Sequence, residues 1–331
     1  MSDNAAIYAE MSQDQVAMVA LTDDGDHQKF NSADTLWSNR SGYAPDVKPN
    51  GVATGCAVNP GAANDTVAVG GGTVYIAGVL TTVTANSALS VPRPETSDYQ
   101  QLAITVTDAG ALAVVEGTEH TAFSDTLDAT GGQPLIPTGS SLLAVVKYSG
   151  QGSAVVLASE IKAIIGTTRE TYNYPAWTER RMAVENGALD YAGIDFDAAL
   201  PLCHTGGVPK AVYAEYYTPE FALMPETSDF KPPETSHSTS SNQIYGKTKG
   251  SSSSTLGQGS FTAYLEDGIS DSIISRKNDF LFFKFYQDRL ATTKYILTQG
   301  KLGIGREFPA DDGVSASCTI SATDEAVEVT A

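Results

Sequence analysis

Three stretches decide how this chain is read: AVYAEYY at residues 211–217, PETSDFKPPETSHSTSSNQIYGKTKGSSSSTL at 225–256, and GSFTAYLE at 259–266. The first alternates Val212, Ala214 and Tyr216 with Tyr213, Glu215 and Tyr217. The third alternates Phe261, Ala263 and Leu265 with Thr262, Tyr264 and Glu266. Period-two alternation predicts strands with one wet and one buried face. Between them lies a segment of Ser, Thr, Pro, Gly, Asn and Lys that offers very little apolar surface to hold it against its own domain. A compact domain rarely carries roughly 30 such residues between strands unless they are functional or disordered. The two strands are expected to pair as a hairpin whose tip is this loop. Arms of about 16 residues, extended, would reach roughly 50 Å, far enough to touch a neighbouring subunit.

Downstream, DGISDSIISRKN (267–278) predicts a short helix. Ile269, Ile273 and Ile274 form its narrow apolar stripe, with Asp267 and Asp271 at the start and Arg276 and Lys277 at the end, as the helix dipole favours. The aromatic run from Leu281 to Tyr286 reads as a buried strand, followed by strands at Tyr295–Thr298 and Leu302–Glu307. Pro309-Ala310-Asp311-Asp312-Gly313 has turn chemistry: Pro presets φ, Asp tolerates the turn, and Gly takes positive φ. Val314–Ser321 closes the sheet with Val314, Ala316, Cys318 and Ile320 on one face, which makes Cys318 a small core residue.

Upstream, residues 44–160 form a module of short strands separated by Gly, Asn and Asp turns. Candidate strands are Thr66–Val69, Thr73–Ala77, Val79–Ala85, Gln101–Thr107, Leu112–Glu116, Leu142–Tyr148 and Ala154–Ile161. Seven such strands predict an antiparallel sandwich or small barrel. Gly70-Gly71-Gly72 precedes a strand and lacks the GxxxxGK[ST] pattern, so it reads as a hairpin turn rather than a phosphate loop. Glu116/Glu119 and Asp125/Asp128 resemble carboxylate dyads only in spacing, and a chain with 39 carboxylates produces such pairs by chance. Residues 1–43 have weak periodicity and form either an arm or the first strands of the second domain, 161–331. Asp23-Asp24-Gly25-Asp26 lacks the sixth-position Gly and distal Glu of a calcium loop and reads as a tight turn.

Composition excludes several classes. No run of 18 apolar residues exists, so no membrane span is expected. The start, MSDNAAIYAEMSQDQ, lacks the basic and apolar parts of a secretory leader, which predicts synthesis and folding in the cytoplasm. Cys56, Cys203 and Cys318 are too few and too far apart for a disulfide framework or a zinc knuckle. Cys203-His204 has no second ligand pair nearby in sequence and reads as a partly buried Cys beside a loop His. Arg180-Arg181, among Tyr172, Tyr174 and Trp177, reads as an interface anchor rather than a nucleic-acid contact. The expectation is therefore a non-enzyme with no catalytic, cofactor-binding or metal-binding residues. The net charge is −19, and residues 1–160 hold 17 acidic side chains against 5 basic ones. Such a surface repels a nucleic-acid backbone, which carries one charge per roughly 1.7 Å of duplex. Alone it reads as a solubility device.

The order of elements from about 205 to 325 resembles the tail tube (major tail) proteins of long-tailed, non-contractile bacteriophages. The residues that carry this likeness are the long-looped hairpin, DGISDSIISRKN, FLFFKFY (280–286) and YILTQGKLGIGREFPADDGVSASCTISA (295–322), the last with its Asp-Asp-Gly turn before an alternating strand. It is a pattern of elements rather than a residue motif and covers about a third of the chain. It implies a mainly β fold: a tail-tube-like β-sandwich with one short flanking helix, beside the separate small β-sandwich module, which resembles the outer decorations that some tail proteins carry. It also implies hexameric rings that stack into a tube, with the loop at 225–256 as the stacking element through Ser228, Lys231, Lys247, Lys249 and Gly250. Glu215 and Glu266, on the polar faces of the two expected hairpin strands, would face the lumen, where carboxylates let DNA pass as non-sticking cargo. Partners implied are copies of the chain itself and other tail proteins (tape measure, terminator, distal tail), and the location implied is the virion tail. Two further readings stay open: another virion structural protein, such as a head decoration or tail terminator, and a secreted carbohydrate-binding or adhesin protein.

Overall fold

Ala6–Ala20, from the segment whose place was open, is a 15-residue strand near the middle of the largest sheet. The computed structural model describes residues 4–33, 35–185, 188–224, 226–310 and 313–330, and shows a mainly β, sandwich-like chain. Asp311 and Asp312 of the expected Pro309–Gly313 turn lie outside these residues. Ala6–Ala20 pairs antiparallel with Val212–Met224, from Ile7 opposite Met224 to Ala20 opposite Tyr213. Its other edge pairs with Phe280–Tyr286. Across the sheet the order is Thr227–Lys231, Gly259–Tyr264, Ser315–Ser321, Lys294–Glu307, Phe280–Tyr286, Ala6–Ala20, Val212–Met224 and Asp46–Pro49, with Val327–Thr330 added on Lys294–Glu307.

This order corrects the expected hairpin. Strand Val212–Met224 does not pair with Gly259–Tyr264, because four strands lie between them. Period-two alternation shows that a strand has two faces, but it says nothing about which edge it uses.

One face of the sheet buries Ile7, Phe261, Leu281, Phe283, Leu302, Cys318 and Ile320 in a single core. The sheet curls so that Phe230, on its first strand, meets Phe285, on its fifth. The opposite face buries Phe282 and Leu297 with Leu36 and Met182. Farther along, Val212, Ala214 and Tyr216 pack with Trp37, Ile194 and Phe196 against a small sheet of Trp177–Arg180, Gly193–Phe196, Lys29–Asn31 and Thr22–Asp23. Glu10 is fully buried beside this layer; its carboxylate accepts hydrogen bonds from Gln13 Nε2 (2.7 Å), Phe282 N (3.2 Å) and Ser38 Oγ. Burial pushes its pKa up despite those donors.

Three local expectations change. The strands expected at Tyr295–Thr298 and Leu302–Glu307 are one strand, Lys294–Glu307. The Gln-Gly pair between them is not a break. A Cβ on Gly300 would meet Ile320 Cγ2 at 2.7 Å and Ser321 O at 2.8 Å, so Gly is there for close strand approach. The expected helix is a single 3-10 turn, Ser272–Arg276, in which Ile273 is buried, while Ile269 lies before the turn and is 73% exposed. Ala154–Ile161 forms no strand beyond the pair Ile161–Lys162.

The second core lies within the upstream module. Strands Gly51–Gly55, Gly72–Ile76 and Val79–Val83 form one small sheet, and Asn86–Ser90, Thr66–Val69 and Val58–Pro60 another. Both enclose Val67, Val74, Ile104, Leu143 and Tyr148 with the sheet of Leu112–Glu116, Tyr99–Thr107, Ser140–Ser149 and Ile161–Lys162. The chain leaves the large sheet at Asp46–Pro49 and returns at Val212, which pairs with Pro49. Residues 46–49, expected in the module, thus belong to the large sheet, and the module is inserted between two of its neighbouring strands.

Candidate assembly surface

The polar stretch expected as a loop is ordered as strands. Thr227–Lys231 is an edge strand of the large sheet, and Thr235–Ile244 pairs with Lys247–Leu256 as a separate hairpin, in register from Thr235 opposite Leu256 to Ile244 opposite Lys247. Tyr245 and Gly246 form the two-residue turn, with Gly246 at φ 75°. Ser and Thr hydroxyls can sit on both faces of a ribbon without apolar cost. Two cross-strand pairs, Ser238–Ser253 and Ser240–Ser251, are linked hydroxyl to hydroxyl at 2.8 Å.

The hairpin is tied to the domain at its base. Thr235 N donates to Glu325 Oε1 (3.0 Å) and Ala326 N to Pro233 O (3.0 Å), while Gly257 N to Glu234 O (2.9 Å) closes the ribbon's own base. Beyond the base, none of its described side chains belongs to an apolar core cluster. Ten residues per arm reach about 33 Å at about 3.3 Å per residue, less than the extended-loop expectation. At its tip Tyr245 is fully exposed. A two-stranded ribbon without a core is marginal in water, so contact with another surface is the physical route to holding it in place.

The five residues expected to stack rings divide between two places. Ser228 and Lys231 lie in the edge strand, opposite Thr262 and Ser260. Lys247, Lys249 and Gly250 lie in the hairpin, opposite Ile244, Asn242 and Ser241; the Lys249 side chain is outside the described residues. Tyr245 was missed by sequence reasoning, which weighed the stretch by its polarity. An aromatic directly before Gly inside a Ser/Thr run was the available signal.

Glu215 and Glu266 are not brought together. Glu215 lies on Val212–Met224 opposite Asp46 and accepts a hydrogen bond from Gln15 Nε2 at 3.0 Å. Glu266 follows the end of Gly259–Tyr264, is exposed, and donates its backbone N–H to Asp271 Oδ1 at 2.8 Å. A cleft of about 540 Å³ opens near it, lined by Met11, Leu223, Met224, Tyr264, Leu265 and Ile273 among others. Leu223 and Tyr264 are 42% and 52% exposed.

The other sequence candidates serve the fold. Glu119 accepts the backbone N–H groups of Glu95 (2.7 Å), Thr96 (2.7 Å) and Ser97 (2.8 Å) and the Thr96 hydroxyl. The Thr96 hydroxyl and these amides hold its pKa down to about 2, the wrong direction for a general acid. Asp23 Oδ1 accepts from Gly25 N and His27 N, and Asp26 Oδ1 from Gln28 N and Lys29 N, so the acidic cluster closes a turn. Arg181 Nη1 donates to Asn39 Oδ1 at 2.7 Å and Arg180 Nε to Asp195 Oδ1 at 3.2 Å, so both arginines, expected as an interface anchor, are tied within the chain.

Cys203 and His204, expected as a partly buried Cys beside a loop His, are both buried. Burial and the Glu170 carboxylate push the Cys203 thiol above its ordinary range, so it is no activated nucleophile. No described helix is long and apolar enough to cross a membrane. No protein-family model matches the chain, and no curated protein matches it.

Proposed function

We propose that this chain is a structural subunit that assembles with copies of itself, as a tail tube protein of a long-tailed phage does. The observation that carries the reading is the hairpin Thr235–Leu256, a polar ribbon that stands off its domain and ends in an exposed tyrosine. Such a ribbon gains little from its own fold, and its ordering is offset when it docks on a neighbour. The cleft beside Tyr264 offers apolar surface of the kind an aromatic tip seeks, as interface anchors are enriched in Tyr. Free edges, such as the outer edge of Thr227–Lys231, favour side-by-side association of sheets in a ring. In that reading rings stack through the hairpin, the acidic charge keeps DNA from binding along the lumen, and the inserted sandwich decorates the exterior of the virion tail. Catalysis has no part in it.

Negative-stain microscopy and sedimentation of the purified chain test the reading. Long hollow tubes, or rings that convert to tubes with concentration, are the expected result. A chain that stays monomeric at every concentration and salt would overturn it.

A further inference from the structure

Outside the assembly surface, the molecule gathers its most chemically varied side chains at one buried point. We propose that Glu170, Cys203 and His204 form a zinc site that fastens the inserted sandwich to the loop leading into Val212–Met224. Cys203 Sγ and His204 Nε2 converge on the same atom, Glu170 Oε1, at 3.2 and 2.9 Å. All three candidate ligand atoms lie within 4.8 Å of one another, and the residues are only 6%, 3% and 2% exposed.

The geometry is that of a supported ligand set. His204 turns Nδ1 toward Pro137 O at 3.4 Å, so its other ring nitrogen faces the cluster. A carbonyl behind a ligating imidazole is the usual way such a ring is oriented. Glu170 Oε2 is held by the Leu142 N–H at 3.0 Å, which leaves Oε1 as the point of convergence. The backbone on both sides is pinned: Glu170 N donates to Leu142 O (2.9 Å), Ile136 N to Cys203 O (2.9 Å) and Thr205 N to Ile136 O (2.8 Å).

A second observation points to a ligand. A cavity of about 20 Å³ adjoins the cluster, lined by Glu170, Cys203, Thr171, Tyr174 and Lys210 among others. That is room for one water-sized fourth ligand. Thr171 Oγ1 is buried beside it without a hydrogen-bond partner.

The donor set selects the ion. One sulfur, one imidazole nitrogen and one carboxylate oxygen suit Zn²⁺, whereas Ca²⁺ and Mg²⁺ require oxygen shells. Tetrahedral zinc with bonds of about 2.0–2.3 Å sets its ligand atoms roughly 3.3–3.5 Å apart, so the two spacings to Glu170 Oε1 open by only a few tenths of an ångström, and the Sγ–Nε2 spacing lies within 4.8 Å. A thiolate, a carboxylate and a neutral imidazole around Zn²⁺ carry no net charge, so the ion adds no repulsion to the Lys210 ammonium nearby. Lys210 is itself held by the carbonyls of Thr171 (2.8 Å) and Tyr174. Burial on all sides makes the site a fastener rather than a hydrolytic centre. Glu170 lies 33 residues before Cys203 in sequence, which is why no spacing motif announced the set.

The test uses the full chain, stripped with a chelator and then titrated with Zn²⁺ alone by calorimetry and with Co²⁺ alone by absorption. One ion per chain is expected, with a thiolate-to-cobalt charge-transfer band that Cys203→Ser lacks. His204→Gln should weaken Zn²⁺ binding at least tenfold. A wild-type chain that is folded by circular dichroism yet binds substoichiometric zinc overturns the proposal. So does a cobalt form without the thiolate band, or Cys203→Ser binding zinc as tightly as wild type. The wild-type measurements decide the matter even if a variant fails to fold, and none of them depends on whether the chain assembles.

Discussion

Phe230 lies face to face on Phe285, ring centroids 4.7 Å apart and planes 12° from parallel. The first ring belongs to the edge strand Thr227–Lys231 and the second to Phe280–Tyr286, four places along the sheet. Backbone pairing holds the edge strand only on one side, through Gly259–Tyr264. The ring pair therefore supplies the closure that backbone bonds do not. Phe230→Ala removes a half-buried ring and its partner contact, for an expected cost of about 2 kcal/mol. Urea unfolding should show it, and amide exchange along Thr227–Lys231 should quicken more than elsewhere. Unchanged exchange in that strand would mean the sheet is closed by something other than this stack.

The division of the polar stretch into edge strand and hairpin alters how it should be cut. A deletion that includes Ser228 or Lys231 removes a strand of the large sheet, so failed assembly would say nothing of the hairpin. Replacing Thr235–Leu256 with a short Gly-Ser turn removes no described residue of the apolar cores, and stability should stay within about 0.5 kcal/mol of wild type. Assembly into tubes should stop. Tyr245→Ser should reduce assembly in the same direction without altering the ribbon. Normal tubes from the turn replacement would refute stacking through the hairpin.

The sequence made visible what repeats over two residues and hid what depends on pairing. Alternation located Gly259–Tyr264, Ser315–Ser321 and the first half of Val212–Met224, whose continuation past Tyr217 it did not show, while the aromatic run located Phe280–Tyr286; alternation also put Ala316, Cys318 and Ile320 on the buried face where the structure has them. It did not show that Ala6–Ala20 lies between Phe280–Tyr286 and Val212–Met224, because pairings between residues so far apart in sequence, such as Ile7 with Met224 and Ala6 with Tyr286, leave no local trace. The buried Glu10 and register shift near it weakened the apolar pattern that would have revealed this strand. The Ser/Thr run read as a loop because its alternation is polar on both faces, and periodicity in apolar residues is blind to such a ribbon. Glu170 was invisible as a partner of Cys203-His204 for the same reason as the central strand: only the fold brings them together.

Glu119 gives a pH signature. Its folded pKa is lowered from 4.5 to about 2 by the Thr96 hydroxyl and the amides of Glu95, Thr96 and Ser97. An acid with a depressed folded pKa contributes stability that is complete above its unfolded value and is lost as pH falls through the folded one. The contribution of this loop clasp should therefore be intact above about pH 4.5 and disappear as pH falls toward 2. A carboxyl chemical-shift titration should place the Glu119 midpoint near 2, and Glu119→Gln should remove that part of the acid dependence. A midpoint near 4.5 would show that the donors do not engage the carboxylate.

The inserted sandwich can be removed at a natural seam. Tyr172 N donates to Val52 O at 3.3 Å, and Val52 and Thr171 form a bridge, so the two ends of 52–171 lie side by side. The apolar cores of the large sheet draw no residue from that span. Joining 51 to 172 through a few Gly and Ser residues should thus leave the large sheet folded. It should expose Cys203 and His204, which lose the carbonyl and amide of Ile136 that pin their loop. If the sandwich is an exterior decoration, the shortened chain should still assemble, into tubes of smaller outer diameter by electron microscopy. A shortened chain that is folded by circular dichroism yet remains monomeric would make the sandwich part of the subunit contact instead.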